Sequence, residues 1–128
     1  PSGREALVRW LSQPVEKESL RLEILLKTYF SGYAAPEAML THLTAFEESH
    51  NKQLHILNLF QAELERIPDE DENHGDILRV IDVGQKANRA YLDWCSETKA
   101  YFERKQSIGQ RQPDENQHTA HAGELKQE

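Results

Sequence analysis

The stretch that decides the fold is residues 36–67, "PEAMLTHLTAFEESHNKQLHILNLFQAELERI". After Pro36 it contains neither Gly nor Pro, so a helix can run its whole length, a rod of about 45 Å at ~1.5 Å per residue. Its apolar residues keep a heptad: Met39, Leu43 and Phe46, then Leu57, Phe60, Leu64 and Ile67, in alternating steps of four and three. Two mid-rod positions of that series are polar, His50 and Gln53, and are expected to set register in the seam. A second line (Leu40, Leu54, Ile56) widens the apolar face beyond a simple coiled-coil seam. Pro36 suits the first helical position and Glu37 the positive end of the dipole. Pro68 and the acidic loop "DEDENHGD" end the rod.

Downstream, a second rod is predicted from about Asp76 to Arg104. One apolar line on it is Ile77, Ile81, Gly84, Asn88, Tyr91, Cys95 and Phe102; an adjacent line is Val80, Val83, Ala87, Trp94 and Tyr101. A connection this short makes the rods antiparallel neighbours, an αα-hairpin. Gly84, Ala87 and Asn88 are small enough to let another helix approach closely.

Upstream, Ser19 is expected to cap a helix running to about Ser31. Its stripe is Leu22, Leu25, Leu26, Tyr29 and Phe30, with Gly32 as the stop. Before it, Ser2 and Glu5 read as a capping box, and Ala6, Leu7, Trp10 and Leu11 make residues 3–12 a short amphipathic helix. No alternating, turn-bounded stretch signals a strand. The expected fold is all-α: two short helices followed by a long antiparallel helical hairpin. Two adjacent apolar lines on the second rod need cover on two sides, which one partner rod cannot supply. The hairpin is therefore expected to pair with a second copy as a helical bundle or coiled-coil dimer. The expected dimer residues are Leu43, Phe46, Leu57, Phe60, Leu64, Ile81, Ala87, Tyr91 and Trp94.

With 128 residues the chain has the length of one domain. Its 38% hydrophobic content is low for a globular domain, and the deficit is concentrated at the end. Residues 105–128 offer only Ile108 and Leu125 as large apolar groups, too few to offset ordering entropy. They are read as a disordered polar tail, and residues 1–104 as the helical domain. A net charge of −7 without a basic block argues against direct DNA binding by this chain. The single cysteine, Cys95, fits a reducing, cytoplasmic setting. No apolar run reaches the ~20 residues of a membrane span, so no membrane partner is expected.

Catalytic chemistry finds little footing. Glu47 and His50 have the E-x-x-H spacing of di-iron bundles, but such sites need two of these motifs and further helix-borne carboxylates. Cys95 lies mid-helix on an apolar line, with no helix N-terminus to lower its pKa. No Gly-rich phosphate loop is present. The expectation is no catalytic residue, no metal and no cofactor. The aromatics Trp10, Tyr29, Phe30, Tyr91 and Trp94 suit either a pocket wall or a core or dimer interface.

Three segments, "SGREALVRWLSQPVEKESLRLEILLKTYF", "PEAMLTHL" and "RAYLDWCSET", together resemble the C-terminal domain of PadR-like transcriptional regulators of the long, virulence-activator type. The resemblance rests on Gly3, Leu7, Trp10 and Leu11, then Leu25, Leu26, Lys27 and Phe30, then Arg89, Ala90, Leu92 and Trp94. It implies a homodimerising, effector-sensing domain whose DNA contacts are made only by an N-terminal winged helix-turn-helix that this chain does not contain. Residues 1–12 would then be the linker helix leaving that domain. A small-molecule effector would sit near the junction, with Trp10, Leu11, Tyr29 and Phe30 as candidate effector or interdomain residues. The alternative is a free-standing helical adaptor for protein–protein interaction.

Overall fold

The computed structural model describes residues 2–16 and 22–127, with side-chain surroundings described as far as Gly109. Helix α1 spans Ser2–Ser12 and α2 spans Glu23–Tyr29; a 3₁₀ turn at Ser31–Tyr33 leads to α3, Pro36–Arg66, and then to α4, His74–Gln127. No strand occurs among the described residues. The architecture is all-α, dominated by the antiparallel pair α3 and α4.

Pro36 opens α3 behind an extended Ala35, as its fixed φ and missing N–H favour. The start of α4 is set by a device absent from the sequence reading. Asp69 Oδ1 accepts the backbone N–H groups of Asn73 and His74 at 3.0 and 3.2 Å, satisfying donors the helix itself cannot. The helix therefore begins two residues before the expected Asp76. Glu72 supplies the reversal, with φ of 54° in the left-handed region.

The second short helix differs from expectation at both ends. Ser19, its expected cap, lies outside the described residues, and Leu22 is the extended residue before the first turn. Its C-terminus is not a glycine stop. The N–H of Phe30 bonds to the Leu26 carbonyl, and those of Tyr33 and Ala34 bond to Phe30 and Ser31. The chain thus tightens into a 3₁₀ turn that keeps Gly32 at negative φ. Of the stretch 105–128, expected to be a disordered polar tail, residues 105–127 lie within the bounds of α4, and side-chain surroundings are described only for 105–109.

The core sits where α2 crosses the start of the hairpin. Met39, Leu43, Cys95 and Phe102 are at most 2% exposed, and Ile24 from α2 closes over them. Farther along the pair, Leu57 packs on Gly84 and Ile81 is buried. Polar contacts between the helices accompany both apolar layers. Gln85 Nε2 donates to Asn58 Oδ1 and Gln61 Oε1 at 2.9 and 2.7 Å, and Lys99 Nζ meets Glu47 Oε1 at 3.2 Å. No buried side-chain polar atom among the described residues lacks a partner.

Candidate functional site

Each long helix has one apolar line facing its partner and another facing away. On α4 the inward line is Ile81, Gly84, Asn88, Cys95 and Phe102. The adjacent line stays bare at Val80, Val83 and Tyr101, which are 70%, 63% and 45% exposed. On α3, Ile56, Phe60 and Ile67 are likewise exposed. A groove lined by Phe60, Glu63, Leu64, Ile77 and Ile81 joins the two sets across the turn end of the hairpin.

At the middle of the hairpin four rings cluster. Phe46 meets His50, Tyr91 and Trp94 at centroid separations of 4.2, 5.9 and 5.8 Å, and His50 meets Tyr91 at 5.0 Å. The edge-to-face geometry of Phe46 with Tyr91 and Trp94 is that of packed aromatic pairs. Beside this cluster a groove of about 450 Å³ lies between α2 and α3, with Ile24, Phe46 and Ala45 as apolar walls and Lys27, His42, Ser49 and His50 as polar groups.

The expected dimer residues divide among these surroundings. Leu43 and Ile81 are buried within the chain, and Leu57 is half-buried over Gly84. Phe46, Tyr91 and Trp94 form the aromatic cluster, with Ala87 half-buried one turn before Tyr91. Leu64 and Phe60 line the turn-end groove, Phe60 being 57% exposed. The candidate effector residues fall in two places. Tyr29 and Phe30 meet edge to face at 4.9 Å, and both are exposed. Trp10 and Leu11, each 66% exposed, line a separate groove with Gln13, Pro14 and Val15.

The residues weighed for chemistry are engaged in packing. Glu47 pairs with Lys99, and His50 Nδ1 lies 2.6 Å from Asn88 Oδ1, so the E-x-x-H pair points its two groups at different partners. Cys95 Sγ donates to the Leu43 carbonyl oxygen at 3.2 Å. Burial pushes its thiol pKa up, and the nearby Glu47 carboxylate adds to the rise. This is the opposite of what a nucleophile needs. No helix among the described residues is long and apolar enough to cross a membrane.

Comparison with known proteins follows the same lines. Residues 20–103 match the family model described as virulence activator alpha C-term. The crystal structure of the PadR-like transcriptional regulator from Bacillus cereus superposes with a TM-score of 0.67 at 22% sequence identity. That match covers 81% of this chain and 60% of the regulator, so this chain corresponds to only part of the regulator's length. No curated protein matches the chain. The hairpin, its α2 cover and the family match over most of the chain agree: this protein belongs to the virulence activator alpha C-terminal family, with the fold of the corresponding part of a PadR-like regulator.

Proposed function

We propose that this chain is the dimerising, effector-sensing domain of a PadR-like transcriptional regulator. Its DNA contacts would be made by a winged helix-turn-helix outside this sequence. The observation that carries the reading is the bare second apolar line on α4, Val80 and Val83, in a chain of this family. A domain that leaves large aliphatic side chains open on a helix already packed on its other side is built to receive another subunit. The role is non-enzymatic, since Glu47, His50 and Cys95 are all held in packing contacts.

The net charge of −7 supports placing DNA contact elsewhere, because phosphate affinity comes from clustered cations. In a two-fold dimer the two DNA-reading domains would be held about one helical turn, ~34 Å, apart. The exposed rings Trp10, Tyr29 and Phe30 are the proposed effector-responsive surface. Analytical ultracentrifugation at micromolar concentration tests the central element. A dimer is expected, and a monomer throughout that range overturns it.

A further inference from the structure

The groove between α2 and α3, about 450 Å³, gathers charged and apolar side chains in one place, and Trp10, Tyr29 and Phe30 take no part in it. Its α3 wall is a single helix face, since His42, Ala45, Phe46, Ser49 and His50 keep the i, i+3, i+4, i+7, i+8 spacing. Its α2 wall carries Glu23 and Lys27 one helical turn apart. Between the walls lie the Phe46 ring and the buried Ile24. Neither Glu23 nor Lys27 enters an ion pair among the described residues. Those pairs lie within α3, within α4, at the turn of the hairpin and between Glu47 and Lys99. The side-chain hydrogen bonds of α3 likewise involve residues other than His42 and Ser49.

We infer that this groove binds a small amino acid-like zwitterion, an ammonium and a carboxylate within a few bonds of each other on an apolar body. The two wall charges decide the class. A purely anionic molecule would meet Glu23, and a purely cationic one would meet Lys27. An uncharged apolar molecule would strip water from both charges and replace it with nothing. Only a ligand of both signs satisfies the wall: Lys27 Nζ would donate to its carboxylate, and Glu23 would accept from its ammonium. His50 adds a second acceptor. Asn88 Nδ2 donates to the Gly84 carbonyl at 2.8 Å, which turns Oδ1 toward the ring, and His50 Nδ1 donates to that oxygen at 2.6 Å. Nε2 is then the lone-pair nitrogen and the polar atom the ring can offer the groove. The volume is in the range of small-molecule sites, and Phe46 and Ile24 would take the apolar body. The inference goes beyond the dimer reading and does not need it, because every group in the site belongs to one chain.

The test is a titration of the full chain, followed by backbone-amide NMR, with three related compounds. These are L-phenylalanine, N-acetyl-L-phenylalanine, which keeps only the carboxylate, and L-phenylalaninamide, which keeps only the ammonium. L-phenylalanine should give saturable shifts centred on residues 22–27 and 42–50, at about millimolar concentration because charges at an open site are screened. Each single-charge relative should bind about tenfold more weakly, having lost one charge-assisted contact. Glu23→Gln should remove the preference for L-phenylalanine over its N-acetyl derivative, and Lys27→Gln the preference over its amide. Both positions are exposed, so neither change threatens the fold. Equal binding of the three compounds overturns the assignment, as do preferences that survive both substitutions. Absence of saturable shifts at 22–27 and 42–50 overturns it as well, and leaves the dimer reading standing.

Discussion

His50, near the midpoint of α3, and Asn88 of α4 join the two long helices through a 2.6 Å contact between Nδ1 and Oδ1. The amide of Asn88 is oriented by its second bond, Nδ2 donating to the Gly84 carbonyl at 2.8 Å. Its oxygen must then face the ring, so His50 Nδ1 carries the hydrogen and donates. Asn88 is 5% exposed, and no water can readily replace it.

Asn88→Ala should therefore destabilise the fold by about 1–3 kcal/mol, the cost of leaving a buried partner without its bond. Urea unfolding measures this. A double-mutant cycle with His50→Ala should show coupling above roughly 0.5 kcal/mol, as neighbours in one network do. Additive effects would mean that the contact contributes nothing.

The pair also shows how far the sequence could be read. The helix order, the unbroken rod and the inward line of α4 follow from periodicity alone. His50 was expected in the seam and is there, but Gln53, assigned the same role, is exposed. Its place is taken by Asn58, Gln61 and Gln85. The reason is the mismatch between a 3.5-residue heptad and a 3.6-residue helix, which carries the heptad line about 20° off the contact every seven residues. By Phe60 the every-seventh positions Met39, Phe46, Gln53 and Phe60 have drifted out of the seam, while Leu57 and Leu64 of the alternate positions stay in it and Gln61 joins them. The same drift explains why Met39 and Phe60, three heptads apart at one heptad position, finish at 2% and 57% exposure. The Asp69 cap is not legible in the sequence because it acts on N–H groups four and five residues ahead, outside the usual capping spacing.

Phe102 is 1% exposed and closes the core against Met39, Leu43 and Ile24. Phe102→Ala should cost about 3–5 kcal/mol, through lost burial and the cavity left behind. Phe60→Ala, at a bare position, should cost under about 1 kcal/mol in the monomer. Thermal or urea midpoints of the two variants, compared at one protein concentration, check the contrast.

Cys95 should resist alkylation in the folded protein and react only on unfolding, because it is fully buried and its thiol pKa is raised. The linkage has a definite sign. The folded state holds the thiol proton to higher pH than the unfolded chain does, so between the two pKa values the folded state binds more protons. This contribution is complete below the unfolded thiol pKa of about 8.5 and is lost as pH rises through the folded value. Urea midpoints should fall across that alkaline window, and Cys95→Ala should flatten the fall.

Gly84 leaves room on α4 for the Leu57 side chain of α3. A Cβ added there would stand 2.9 Å from Leu57 Cδ1, and its three nearest neighbours are all Leu57 side-chain atoms. The obstruction is thus the end of a flexible side chain rather than the backbone of α3. Replacing Gly by Ala in a helix interior gains about 1 kcal/mol, while pushing Leu57 off its preferred rotamer costs about 0.5–1.5 kcal/mol. Gly84→Ala should consequently fall within about 1 kcal/mol of the unmodified protein. Gly84→Val places two further carbons in the same space and should lose about 1–3 kcal/mol by overpacking. If Leu57 is the sole obstruction, Leu57→Ala should cost less in the Gly84→Ala background than alone, by an amount a urea-unfolding cycle resolves. An equal cost in both backgrounds would place the obstruction in the backbone of α3, and Gly84→Ala would then itself be strongly destabilising.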